Sequence, residues 1–102
     1  MHRVIEQHRD DLVALCREHH VRRLDVFGSA ATGTFDPARS DIDLLVEFDP
    51  PGVHDPWTYF RLRDRLVELF GCEVDLVEPA GIRNDAYRRG IDATREPLYA
   101  AA

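Results

Sequence analysis

The sequence predicts an α/β (α+β) chain, a small mixed β-sheet with flanking helices, on three observations. Three short runs of strand character, Arg23–Phe27, Asp41–Phe48 and Glu73–Glu78, alternate with segments whose apolar residues recur at helical spacing. Gly and Pro punctuate the junctions between them. At 102 residues and 44% hydrophobic, the chain suits a single core, so residues 1–102 are expected to form one domain.

Taken in order, Ile5, His8, Leu12, Leu15, Cys16 and His19 mark one face of an amphipathic helix from Val4 to about His19. Arg23–Phe27 alternates into a strand that stops at Gly28, and a helical turn is expected from Ala30 to about Thr34. Phe35-Asp36-Pro37 reads as a loop. The nearly continuous apolar run in Asp41–Phe48 predicts a strand lying centrally in the sheet, ended by Asp49-Pro50-Pro51-Gly52. Asp55 is placed to cap a helix that has Pro56 at its first position and runs to Phe70, with Gly71 as its stop and Leu62, Leu66, Leu69 and Phe70 facing inward. Pro79 closes the third strand. A short helix is expected over Ile82–Arg89, ended by Gly90, with a tail through Pro97, Leu98 and Tyr99 packing back on the body.

The net charge of −6 and pI near 5.2 repel a phosphate backbone, and no Lys/Arg block is present, which argues against a polymerase acting on free nucleic acid. Two bound divalent cations would bring that charge to −2. Cys16 and Cys72 lie far apart in apolar contexts, as buried thiols do in a reducing compartment. No apolar leader or membrane-length stretch is visible, so a soluble cytoplasmic protein is expected.

The chemistry concentrates in one constellation. Side chains at i and i+2 of a strand share a face, so Asp41 and Asp43 point together while Ile42 and Leu44 enter the opposite layer. Asp75 repeats the pattern in the third strand, and beside the second strand its carboxylate joins the cluster. Three hard oxygen donors in one concavity suit Mg²⁺, and without a cation their repulsion raises at least one pKa. Gly28-Ser29 sits at the sharp exit of the first strand, where turned backbone amides and a Ser hydroxyl cradle a phosphate.

Gly28-Ser29, Asp41-Ile42-Asp43 and Asp75 together resemble the DNA polymerase β-like nucleotidyltransferase superfamily, and the small size resembles its minimal nucleotidyltransferase (MNT) members. The resemblance implies a polymerase β-like nucleotidyltransferase fold over nearly the whole chain. It also implies that Gly28 and Ser29 bind the triphosphate of an NTP and that Asp41 and Asp43 hold two Mg²⁺ ions. Asp75 then shares the catalytic metal and helps activate an acceptor hydroxyl. Many minimal members are antitoxins paired with a HEPN-domain RNase toxin, some transferring AMP from ATP to a toxin tyrosine. The implied role is therefore a Mg²⁺-dependent protein adenylyltransferase with ATP as substrate and a HEPN toxin as partner, binding no nucleic acid directly and no membrane, in a homo- or hetero-oligomer. The turn departs from the family's Gly-Ser-x-Ala-Arg-Gly, with Thr32 at the arginine position. Either NTP binding is weakened or Arg22, Arg23 or Arg39 substitutes, and a rival reading makes the chain a catalytically weak module that neutralises its partner by occlusion. Nucleotidylation of a small molecule would need a second domain or a dimer to form the acceptor pocket.

Other residues carry blander expectations. His19 and His20 are helix neighbours about 100° apart and cannot face one metal. Trp57, Tyr59 and Phe60 open an amphipathic helix and are read as core and rim, with a base-stacking platform or partner interface as the alternative. The arginines of the later helices form a solvated face, and Asp25 and Glu47 are expected to face solvent.

Overall fold

The computed structural model describes residues 1–36, 38, 40–49 and 55–101. Among these, β1 (Val21–Phe27), β2 (Ile42–Phe48), β3 (Val74–Val77) and β4 (Glu96–Ala100) form one mixed sheet in the order β3-β2-β1-β4. β1 runs antiparallel to both its neighbours, whereas β2 and β3 are parallel. β2 is internal, as its apolar run requires, and begins at Ile42, one residue after Asp41.

Alternation divides the sheet into two faces. Leu24, Val26, Ile42, Leu44, Val46, Phe48, Val74 and Leu76 build the main core with Ile5, Leu12, Leu15, Leu62 and Leu66 from the helices. Each fully buried leucine here contributes roughly 1.5–3 kcal/mol of transfer free energy. The opposite face carries a smaller apolar cluster of Phe27, Leu45 and Ile91, with Val77 and Ile82 at its edge.

The expected N-terminal helix is two helices, α1 (Arg3–Glu6) and α2 (Arg9–Glu18), broken at Gln7-His8. His2 fixes the direction of the first piece: its amide donates to the Ala30 carbonyl at 2.7 Å, and its Nδ1 accepts from the Val4 amide. Ile5 of this first piece is fully buried in the core. His19 is buried with Nδ1 2.9 Å from the Leu15 carbonyl oxygen, and His20 turns the chain at φ +58°.

The helical turn α3 is Ser29–Thr32. α4 (Pro56–Phe70) has the expected start, since the Asp55 carboxylate accepts from the Trp57 amide at 2.9 Å, and Gly71 ends it at φ +69°. The strand end proposed at Pro50-Pro51-Gly52, and Pro37 of the proposed loop, lie outside the described residues.

The C-terminal third departs from expectation. A 3₁₀ turn spans Pro79–Gly81, and α5 runs Asp85–Thr94, straight through Gly90. The start is set by Asn84, whose side chain accepts from the Tyr87 amide at 3.0 Å, and continuation past Gly90 delivers Ile91 to the smaller cluster. That gain outweighs glycine's helix penalty of about 1 kcal/mol. The tail is not loose packing but strand β4, zipped onto β1 with Pro97 opposite Asp25. A proline is tolerated because β4 is an edge strand.

Candidate active site

The parallel pairing of β2 with β3 puts Asp43 and Asp75 directly opposite one another. The antiparallel pairing of β1 with β2 puts Phe27, the residue before Gly28, opposite Asp43 from the other side. The fold therefore gathers both strand carboxylates and the Gly28-Ser29 turn at one end of the sheet, on the face away from the main core. Asp41 stands exposed just before β2, close enough that its charge acts on Asp43.

Asp43 is the electrostatic centre of this group. Its pKa is pushed up from 3.8 to about 6, mainly because burial disfavours the charged form, with the charges of Asp75 and then Asp41 adding to the rise. The sequence suggests mutual repulsion alone; burial exceeds the repulsion from either aspartate taken singly. Among the described residues, no ion pair compensates Asp43, and no three His, Cys, Asp or Glu side chains converge tightly enough to enclose a metal ion. The donor set nevertheless fits a hard divalent cation: carboxylate oxygens on adjacent strands, one of them half-buried without a partner cation.

The turn is built around that carboxylate. Gly28 has φ +70°, and a Cβ there would lie 2.5 Å from Oδ2 of Asp43, so only glycine lets the backbone approach. The Gly28 amide is not available to a phosphate, because it donates to Thr94 Oγ1 at 2.9 Å. Ser29 is half-buried at the first position of α3. Thr32, at the arginine position of the family's turn, is exposed, and its hydroxyl folds back on the carbonyls of Gly28 and Ser29 at 3.3 and 3.4 Å. Arg22 and Arg23 do not replace an arginine here. They are engaged toward the other end of β1, by Glu47 at 3.2 Å and Asp25 at 3.2 Å. Arg39 lies outside the described residues.

Three further residues escaped the sequence reading. Asp25, expected in solvent, is 1% exposed and takes Arg95 Nη2 at 2.6 Å and Nε at 2.9 Å on one oxygen and Arg23 Nε at 3.2 Å on the other. Glu47, by contrast, is partly exposed in its pair with Arg22. Thr94 holds the Gly28 amide. Tyr87 of α5 lies edge-on to Phe27, with ring centroids 6.4 Å apart. Burial holds its phenol above the usual range, and the charges of Asp75 and Asp43 add to the shift. A faint signal existed for Tyr87, which shares a helix face with Ile91 at i, i+4. Trp57 and Phe60 are exposed rather than core, at 65% and 52%, while Tyr59 donates its hydroxyl to the Leu76 carbonyl at 2.6 Å.

The nucleotidyltransferase domain family matches residues 6–96, and the chain belongs to that family. A Methanocaldococcus jannaschii protein named "Putative protein adenylyltransferase" is 37% identical over 79 residues, covering 76% of each chain. A solved structure described as a "putative minimal nucleotidyltransferase" is 32% identical, covers 91% of both chains and superposes with a TM-score of 0.75. At the level of fold alone, the chain is also similar to a structure of a tri-AMPylated Shewanella oneidensis HEPN toxin in complex with its MNT antitoxin. That likeness has a TM-score of 0.67 at 17% identity over 95% of this chain and 73% of the other. No helix among the described residues is long and apolar enough to cross a membrane.

Proposed function

We propose that this chain is a Mg²⁺-dependent nucleotidyltransferase that transfers AMP from ATP to a hydroxyl of a partner protein, a tyrosine of a HEPN-type toxin, and acts as its antitoxin. The observation that carries the reading is Asp43: a half-buried carboxylate opposite Asp75, pressed against the one residue type that lets the turn's backbone reach it. Asp41, Asp43 and Asp75 would hold the cations, which when bound supply Lewis-acid stabilisation to the attacking and leaving oxygens. The Gly28-Ser29 turn receives the triphosphate: Gly28 lets the chain turn close to Asp43, and the Ser29 hydroxyl donates to a phosphate oxygen. Asp75 orients the acceptor hydroxyl and takes its proton as the new phosphoester bond forms at the α-phosphorus. The α–β phosphoanhydride breaks and pyrophosphate leaves. The M. jannaschii relative's name and the AMPylated toxin in the S. oneidensis complex support protein as the acceptor class.

Incubating the chain with ATP, Mg²⁺ and its co-encoded partner should raise the partner's intact mass by whole AMP units. An unchanged mass removes the enzymatic reading. Thr32 supports one rival, a weak or inactive module that neutralises its partner by occlusion, since its hydroxyl serves the turn and not a ligand. Asp41→Asn with Asp43→Asn separates the two: neutralisation that survives in the folded double variant favours occlusion.

A further inference from the structure

The turn that approaches Asp43 is tied at its pivot to a distant part of the chain. The Gly28 amide donates to Thr94 Oγ1 at 2.9 Å, at the C-terminal end of α5. The same hydroxyl donates to the Gly90 carbonyl at 3.3 Å. Its proton is thereby committed within the helix, and a lone pair is left facing Gly28 in a fixed direction. Arg95, the next residue, reaches the other side of Phe27. It places Nη2 and Nε on the buried Asp25 carboxylate at 2.6 and 2.9 Å, and its Nη1 on Asp92 at 3.0 Å. A carboxylate with 1% exposure is tolerable only while so paired. The α5–β4 junction is thus fastened to β1 at Asp25 and to the following turn at Gly28, on either side of the strand's last residue.

We infer that Thr94, seated by the Arg95–Asp25 pair, is a positioning residue that fixes the Gly28-Ser29 turn against Asp43. The inference rests on the proposed function, in that this turn and this carboxylate are the two halves of the nucleotide site. A turn with φ +70° at its pivot and an oxygen 2.5 Å from where a Cβ would be has little room to shift without changing its separation from Asp43. Small displacements at such a site weaken binding of the group that spans it. The buried Ala30, whose carbonyl takes the His2 amide at 2.7 Å, anchors the far end of the turn; at the Gly28 end the amides of Ala31 and Thr32 bond back to the Gly28 carbonyl and move with it, and it is Thr94 that holds the Gly28 amide.

The test uses the full chain with Mg²⁺ and ATP. Thr94→Val keeps the shape and removes the acceptor; Thr94→Ser keeps the acceptor. ATP affinity by calorimetry is expected to fall roughly five- to tenfold in Thr94→Val and to return within about twofold of wild type in Thr94→Ser. The Gly28 amide, followed by hydrogen exchange, should be slow in wild type and Thr94→Ser and fast in Thr94→Val. Wild-type affinity in Thr94→Val, or equal weakening in both variants, overturns the inference. So does fast exchange at Gly28 in the wild type, a result that needs no variant to fold. If wild type binds no ATP, the functional reading has failed instead. The inference then stands or falls on whether Thr94→Val alters Gly28 exchange and the Asp43 carboxyl carbon shift.

Discussion

Asp25 and Asp43 lie on the same face of adjacent strands, two residues apart in register, since Asp25 is opposite Leu45 and Phe27 opposite Asp43. Their environments differ in depth of burial and in the charges around them. Asp25 is the more deeply buried and has two arginines on its oxygens, so its charge is matched within the chain. Asp43 is only half-buried and has no such partner among the described residues; its burial, with the charges of Asp75 and Asp41 added, pushes its pKa to about 6. The first arrangement joins a helix to a sheet; the second leaves a charge for something outside the chain to balance. Burial alone does not distinguish a structural carboxylate from a ligand-binding one; the partner does.

The widest gap between the two should open in activity. Asp41→Asn with Asp43→Asn is expected to lower AMP transfer on the order of a thousandfold, read by mass of the partner, while the fold survives. Removing the partner of the other aspartate should act first on stability. Arg95→Ala strands the buried Asp25 charge and is expected to cost about 3 kcal/mol in urea denaturation. A loss under 1 kcal/mol would show that Arg23 alone can balance Asp25. Gly28→Ala tests the approach to Asp43 itself. A residue with a Cβ at φ +70° costs about 1–2 kcal/mol, and the methyl group displaces the Asp43 carboxylate, so ATP affinity should fall more than stability does.

The half of the comparison that concerns Asp43 was legible in the sequence, and the half that concerns Asp25 was not. Asp-x-Asp in an apolar strand, the Gly-Ser exit and a third Asp in a later strand carry local period-2 logic, so strand pairing had only to bring them together. Asp25 sits in an equally regular strand, but its burial depends on Arg95, 70 residues away, and on strand β4, whose Pro97 disguises it. Gly90 read as a stop because propensity is local, whereas the helix continues for the sake of Ile91 in a distant cluster. The break at Gln7-His8 was hidden for the same reason, since the piece before it is tied to the distant Ala30 through the His2 amide.

The smallest expected effect tests the central claim most directly. Because folding raises the Asp43 pKa from 3.8 to about 6, the folded chain keeps a proton that the unfolded chain has lost. This group's contribution to stability is full below about pH 4 and is lost as pH rises through about 6. Near pH 7.5 without divalent cation, Asp43→Asn should therefore be the more stable protein, by about 1 kcal/mol after allowance for solvent screening. With Mg²⁺ in excess the order should reverse, because wild type gains the binding free energy and the variant does not. Melting both proteins with and without Mg²⁺ decides it. A crossover is the predicted result; a wild type already more stable without Mg²⁺, or a Mg²⁺ effect equal in both proteins, would contradict the account.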